Sequence, residues 1–196
     1  MFYQHLKIIA CLFFVSSVFV TTMYGFENQH SEENNMEVGQ IKEIIIKIKG
    51  LVEPASITSV INVLQKIDGV KEAIVINIKQ GEVKIILNNN NKISFIDFYK
   101  QIVSKIKSAQ CLCDAIKEVT ATGIIKKDKV GFFLHIGKSN EKLYFTNQTI
   151  HFKKLKSKID TMLRKKELVF FIGKVHSHMD ESIAIDGIKK IIIVKN

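Results

Sequence analysis

Proline occurs once in this chain of 196 residues, at Pro54, and cysteine three times, at Cys11, Cys111 and Cys113. That usage excludes a collagen-like chain and a disulfide-dense scaffold. Acidic residues are scarce beside basic ones, 19 against 29, which leaves a net charge of +10. A surplus of that size favours contact with phosphates, anionic lipid or an acidic partner and says nothing about fold. Long apolar runs are lacking too. The longest near the start, Ile8 to Val20, covers about 20 Å as a helix, short of the roughly 30 Å core of a bilayer. No G-x-S-x-G elbow, H-E-x-x-H pair or glycine-rich phosphate loop occurs in the sequence, so no nucleophilic or metalloprotease chemistry is indicated and the chain is not expected to be an enzyme. What remains, 46% hydrophobic and 24% charged residues, is the usage of an ordinary folded protein of one large or two small domains.

The first residues read as a targeting segment. Met1 to Lys7 carries a cation and no acid, the apolar run follows, and Thr21, Thr22 and Gly25 offer small residues for processing. Residues 1–25 are therefore expected to be a signal peptide, and the mature protein periplasmic or secreted. Residues 26–40 hold Glu27, Glu32, Glu33 and Glu37 without apolar periodicity, as expected of an acidic disordered leader.

From Ile41 the pattern becomes regular. Ile44, Ile46 and Ile48 alternate with Glu43, Lys47 and Lys49, which predicts a half-buried strand ended by Gly50. Ile57, Val60, Ile61, Leu64 and Ile67 recur at helical spacing, with Ser56 as the expected N-cap. Val70 to Ile78 and Glu82 to Leu87 predict a hairpin, and Ser94 with Asp97 starts a second helix carrying Phe95, Phe98, Ile102 and Ile106. With a last strand within Ala115 to Ile125, residues 41–118 spell the ferredoxin-like βαββαβ plan. Residues 119–196 read as three strands, a basic helix over Lys153 to Lys166, and two strands, Leu168 to His176 and Ser182 to Val194. That is the order of a small OB-like barrel, with a generic α+β sheet as the alternative. The fold class is thus α+β: a ferredoxin-like domain followed by an OB-like β-barrel with one helix.

Gly50-Leu51-Val52-Glu53-Pro54-Ala55-Ser56, the helix after it, and Gly69-Val70-Lys71-Glu72-Ala73-Ile74-Val75 resemble the heavy-metal-associated domains of copper chaperones and metal-transporting ATPases, over about Ile41 to Ala109. In that family the loop reads G-M-x-C-x-x-C, and its two thiolates clamp monovalent copper. The matching positions here are Glu53 and Ser56, hard oxygen donors that cannot replace thiolates for Cu(I). The resemblance implies a degenerate metal loop on a retained scaffold, with copper or another transition metal as the associated ion.

Other candidates lie outside that loop. Cys111 and Cys113 are the thiols left after signal removal; a local disulfide, inert thiols, a metal site and disulfide exchange all fit their spacing. His176 and His178, at i and i+2 on a strand end, can meet one Cu(II), Ni(II) or Zn(II) ion or flank a polar turn. Lys153, Lys154, Lys156, Lys158, Arg164, Lys165 and Lys166 make the basic helix of residues 119–196 an anion-binding candidate. Because export is expected, a protein partner or an anionic envelope surface is the expected target instead of nucleic acid, and membrane insertion is expected only through the signal segment. The expected function is an exported binding protein associated with metal binding or homeostasis; the alternative is a metal-independent interaction module.

Overall fold

The computed structural model describes residues 39–89, 91–146, 150–177 and 183–194. The expected signal peptide, all but the end of the acidic leader, and His178 lie outside the described residues, and nothing is described of the Lys153 side chain. The strands are β1 (Ile41–Lys49), β2 (Val70–Asn77), β3 (Glu82–Leu87), β4 (Leu112–Lys127), β5 (Phe132–Ile136), β6 (Glu141–Phe145), β7 (Leu168–Ser177) and β8 (Ile183–Ile193). The helices are α1 (Pro54–Gln65), α2 (Phe95–Ser108) and α3 (Ile150–Lys165).

The first four strands pair in the order β2-β3-β1-β4, every pair antiparallel. With α1 and α2 as crossovers this is the ferredoxin-like arrangement. Its core is the face where Ile44, Ile46 and Ile48 of β1 meet Val60 and Leu64 of α1 and Phe98, Ile102 and Ile106 of α2, all buried. The alternation in β1 and the 3–4 spacing in the helices bring these residues onto facing surfaces.

The later strands close on themselves. β4 pairs β5, β5 pairs β6, β6 runs parallel to β8, β8 pairs β7, and β7 returns to β4. This is a closed five-stranded barrel with α3 between its third and fourth strands, the OB-like order. Leu134, Leu143, Val169, Phe171 and Ile185 fill it, while Ile159 and Met162 of α3 are buried with them in the same core.

One strand serves both halves. β4 is 16 residues long, pairing β1 up to Ala121 and β5 and β7 from Val119 onward. The last ferredoxin-like strand, expected within Ala115 to Ile125, and the first strand of the barrel are therefore one element. The expected boundary between 118 and 119 falls within β4. Register shifts between Ile45 and Ile46 and between Lys47 and Ile48 change the alternation near that point, as bulges do.

A carboxylate also joins the halves. Glu141, at the start of β6, accepts from Ser94 Oγ (2.9 Å), Phe95 N (2.6 Å), Ile96 N (3.2 Å) and Ser139 Oγ (3.2 Å). It thus caps the N-terminus of α2 together with Ser94, whose hydroxyl accepts from Asp97 N. An anion at that end satisfies orphan amides and complements the helix dipole.

Candidate functional site

The cleft at the end of β1 is built by three segments. Gly50, at φ +90°, turns the chain out of β1 in the left-handed region that favours glycine. Pro54 follows at the first helical position, where a missing amide hydrogen costs nothing. The N-cap of α1 is consequently Glu53, three residues before the expected Ser56. Ser56 sits at the third helical position: the Glu53 amide donates to its Oγ (3.2 Å), and that hydroxyl donates to the Glu53 carbonyl (2.7 Å). Both positions matching the family's thiolates are thus engaged in starting a helix.

The opposite wall comes from the end of α2. Gln110, at φ 60°, closes the helix, and the Cys111 amide reaches back to the Ile106 carbonyl (3.2 Å). Because β4 starts beside the end of β1, with Leu112 opposite Lys49 and Cys113 opposite Ile48, Cys111 arrives next to the Gly50 loop. Its Sγ lies 3.7 Å from the Gly50 carbonyl oxygen. Glu53, Ser56, Ser59, Ser108, Gln110 and Cys111 line a cleft of about 450 Å³ with Gly50 at its base. The topology therefore brings Cys111 to the degenerate loop, a juxtaposition no sequence spacing announces.

The two cysteines are free thiols. Separated by one residue, they project from one face of the chain, and both belong to the packed core surface, Cys111 buried and Cys113 partly so. Cys113 shares a hydrogen bond with the Tyr99 hydroxyl of α2. Its thiol is pushed up to about 11, chiefly by burial; the Tyr99 bond pulls it down and the Asp114 charge adds to the rise. A thiol with such a value is protonated at neutral pH, so inertness toward exchange follows for Cys113.

The other sequence candidates are dispersed. His176 lies on β7, where its Nδ1 is 2.5 Å from Asp186 Oδ2 on β8. That carboxylate holds the ring, and among the described residues no group of three His, Cys, Asp or Glu side chains gathers as a metal cage. On α3, Lys154, Lys156, Lys158, Arg164, Lys165 and Lys166 are exposed, while Leu155, Ile159, Met162 and Leu163 face the core. Lys158 Nζ donates to the Ile191 carbonyl (2.7 Å), which pins the helix to β8. Glu141, the carboxylate that links the halves, was missed by sequence reasoning because its partners are 45 to 47 residues away.

The chain matches no known family model, and no curated protein matches it. Solved structures do. The CopZ metallochaperone is 22% identical, with a TM-score of 0.31, and the likeness covers 37% of this chain and 98% of that one. The yeast copper transporter domain Ccc2a, solved in apo and Cu(I)-loaded states, is 16% identical over 37% of this chain and 94% of its own, at a TM-score of 0.30. A copper-binding domain from HMA7, a P-type ATPase, is 22% identical over 38% of this chain and 96% of its own, also at 0.30. Such likenesses concern the ferredoxin-like portion and its fold alone.

Proposed function

We propose that this protein is an exported, non-catalytic binding protein that handles a soft transition-metal ion, with copper as the ion best matched to its donors. The reading assigns the soft donors to Cys111 and Cys113 and leaves Glu53 and Ser56 as helix-capping residues. The observation that carries it is the placement of the Cys111 thiol in the wall of the cleft beside the Gly50–Ser56 loop.

The donors decide which ion fits. Thiolates suit Cu(I), whereas the Glu53 carboxylate and the Ser56 hydroxyl are hard oxygens, and that hydroxyl is committed to the Glu53 backbone at the start of α1. Cys113 must give up its proton and its bond to Tyr99 before a sulfur pair can form, so loading is opposed at neutral pH and assisted by alkali. The test is a competition titration with a Cu(I) chelator under reducing conditions. Cys111→Ser/Cys113→Ser should abolish tight binding and Glu53→Ala/Ser56→Ala should leave it; the reverse pattern, or weak binding by every form, would refute the assignment. A second reading, a metal-independent module that grips a protein or anionic envelope surface, is favoured by the exposed cations of α3.

A further inference from the structure

We infer that α3 is a docking face for an anionic lipid surface, to which the protein adheres peripherally by charge. Elsewhere in the described fold, part of the lysine charge is neutralised by neighbouring carboxylates. Lys84 meets Glu43 (3.4 Å), Lys117 meets Glu82 (3.7 Å), Lys49 and Lys47 meet Asp114 (2.7 and 3.6 Å), Lys142 meets Asp128 (3.0 Å) and Lys189 meets Glu118 (3.0 Å). On α3 the balance differs. Its single acidic residue is Asp160, and among the described residues Lys154, Lys156 and Arg164 form no ion pair. Lys165 meets Glu167 at only 3.7 Å, with both side chains well exposed. Six basic residues against one acid within Ile150–Lys165 make α3 a densely basic segment.

The chemistry of the face selects the partner. Single-stranded nucleic acid is held by bases stacked on open aromatic rings beside a basic groove. Here Lys127, Lys142 and Lys190 stand over the rings of Phe132, Phe133 and Phe170, at 5.1, 4.8 and 5.8 Å, and Phe145 and Phe171 are buried. The stacking surfaces are occupied. The described apolar side chains of α3, Leu155, Ile159, Met162 and Leu163, pack inward, and no described helix is long and apolar enough to cross a membrane. A row of exposed ammonium groups and one guanidinium suits a plane of phosphate headgroups, where each cation near the surface contributes about fivefold in affinity.

The experiment measures binding of the full chain to phosphatidylcholine vesicles with and without phosphatidylglycerol, as a function of sodium chloride. The apolar run Ile8 to Val20 is the same in every variant, so the signal is the change that each set of substitutions makes. Binding should be stronger with phosphatidylglycerol, fall with salt, and weaken at least tenfold in Lys154→Gln/Lys156→Gln/Arg164→Gln/Lys165→Gln. Lys158 is kept because it holds Ile191. A second quartet of equal charge loss on the ferredoxin-like half, Lys66→Gln/Lys71→Gln/Lys79→Gln/Lys107→Gln, should lose less than threefold. Equal loss in both quartets would show that net charge and not this face is responsible, and equal binding to both vesicles would overturn the proposal outright. Tighter binding to a single-stranded oligonucleotide than to anionic vesicles, lost in the α3 quartet, would also overturn it. Unchanged circular dichroism of each variant keeps folding out of the comparison.

Discussion

Glu141→Ala removes a carboxylate that links the barrel to α2. Four donors lose their acceptor: the Ser94 hydroxyl, the Phe95 and Ile96 amides and the Ser139 hydroxyl. Phe95 is buried, so its amide is poorly placed to find water and the loss exceeds that of an exposed cap. An ordinary N-cap deletion costs about 0.5–2 kcal/mol, and hydrogen bonds to a charged group are roughly twice as strong as neutral ones. Together these give about 2–3 kcal/mol for Glu141→Ala. For a folded unit of this size each kcal/mol lowers Tm by about 2–4 °C, so a drop of about 4–12 °C is expected by differential scanning calorimetry. Glu141→Gln keeps one acceptor oxygen and should fall between the wild type and the alanine variant. Hydrogen exchange should show the Phe95 and Ile96 amides losing protection before the core of β4. A Tm within about 1 °C of wild type, the error of the assay, together with retained protection at Ile96, would refute the assignment of this carboxylate as the helix cap.

Three other outcomes follow. Asp128 is held down to about 2, first by the hydrogen bond from Lys142 and also by those from Tyr144 and the Gly131 and Val130 amides. Its contribution to stability is present above the ordinary value of 3.8 and lost as pH falls toward 2, so Asp128→Asn should flatten the acid limb of a Tm-versus-pH curve. Cys113 works in the opposite direction: its folded value of about 11 lies above the ordinary 9.0, so its contribution is complete below pH 9 and disappears as pH rises toward 11, and Cys113→Ala should flatten the alkaline limb of the same curve. At Gly81, φ is +67° and an added Cβ would collide with the Ile48 carbonyl oxygen; Gly81→Ala should lower stability by roughly 1–3 kcal/mol in urea unfolding.

The regular elements were legible because their signals are local. Ser94 and Asp97 announced the start of α2, and the alternation of Ile44, Ile46 and Ile48 announced β1; both are observed. The start of α1 was misread, since Ser56 has the cap chemistry but Pro54 commits the chain to helix two residues earlier. The length of β4 was not legible, since register shifts interrupt its alternation and its two halves answer to different partners. Spacing alone also separated Cys111 from Glu53 by 58 positions; only the pairing of β4 with β1 closes that distance. Glu141 offered no signal at all, since a glutamate at the head of a strand looks like any solvated residue until the tertiary fold places α2 over it.

The most direct test of the metal reading is X-ray absorption at the copper edge of the protein loaded with one equivalent of Cu(I) under reducing conditions, above and below neutral pH. A first shell of two sulfurs from Cys111 and Cys113 is expected, more fully formed at the alkaline pH because Cys113 holds its proton up to about 11. A shell of oxygen or nitrogen donors, or a sulfur shell that survives in Cys111→Ser/Cys113→Ser, would contradict it.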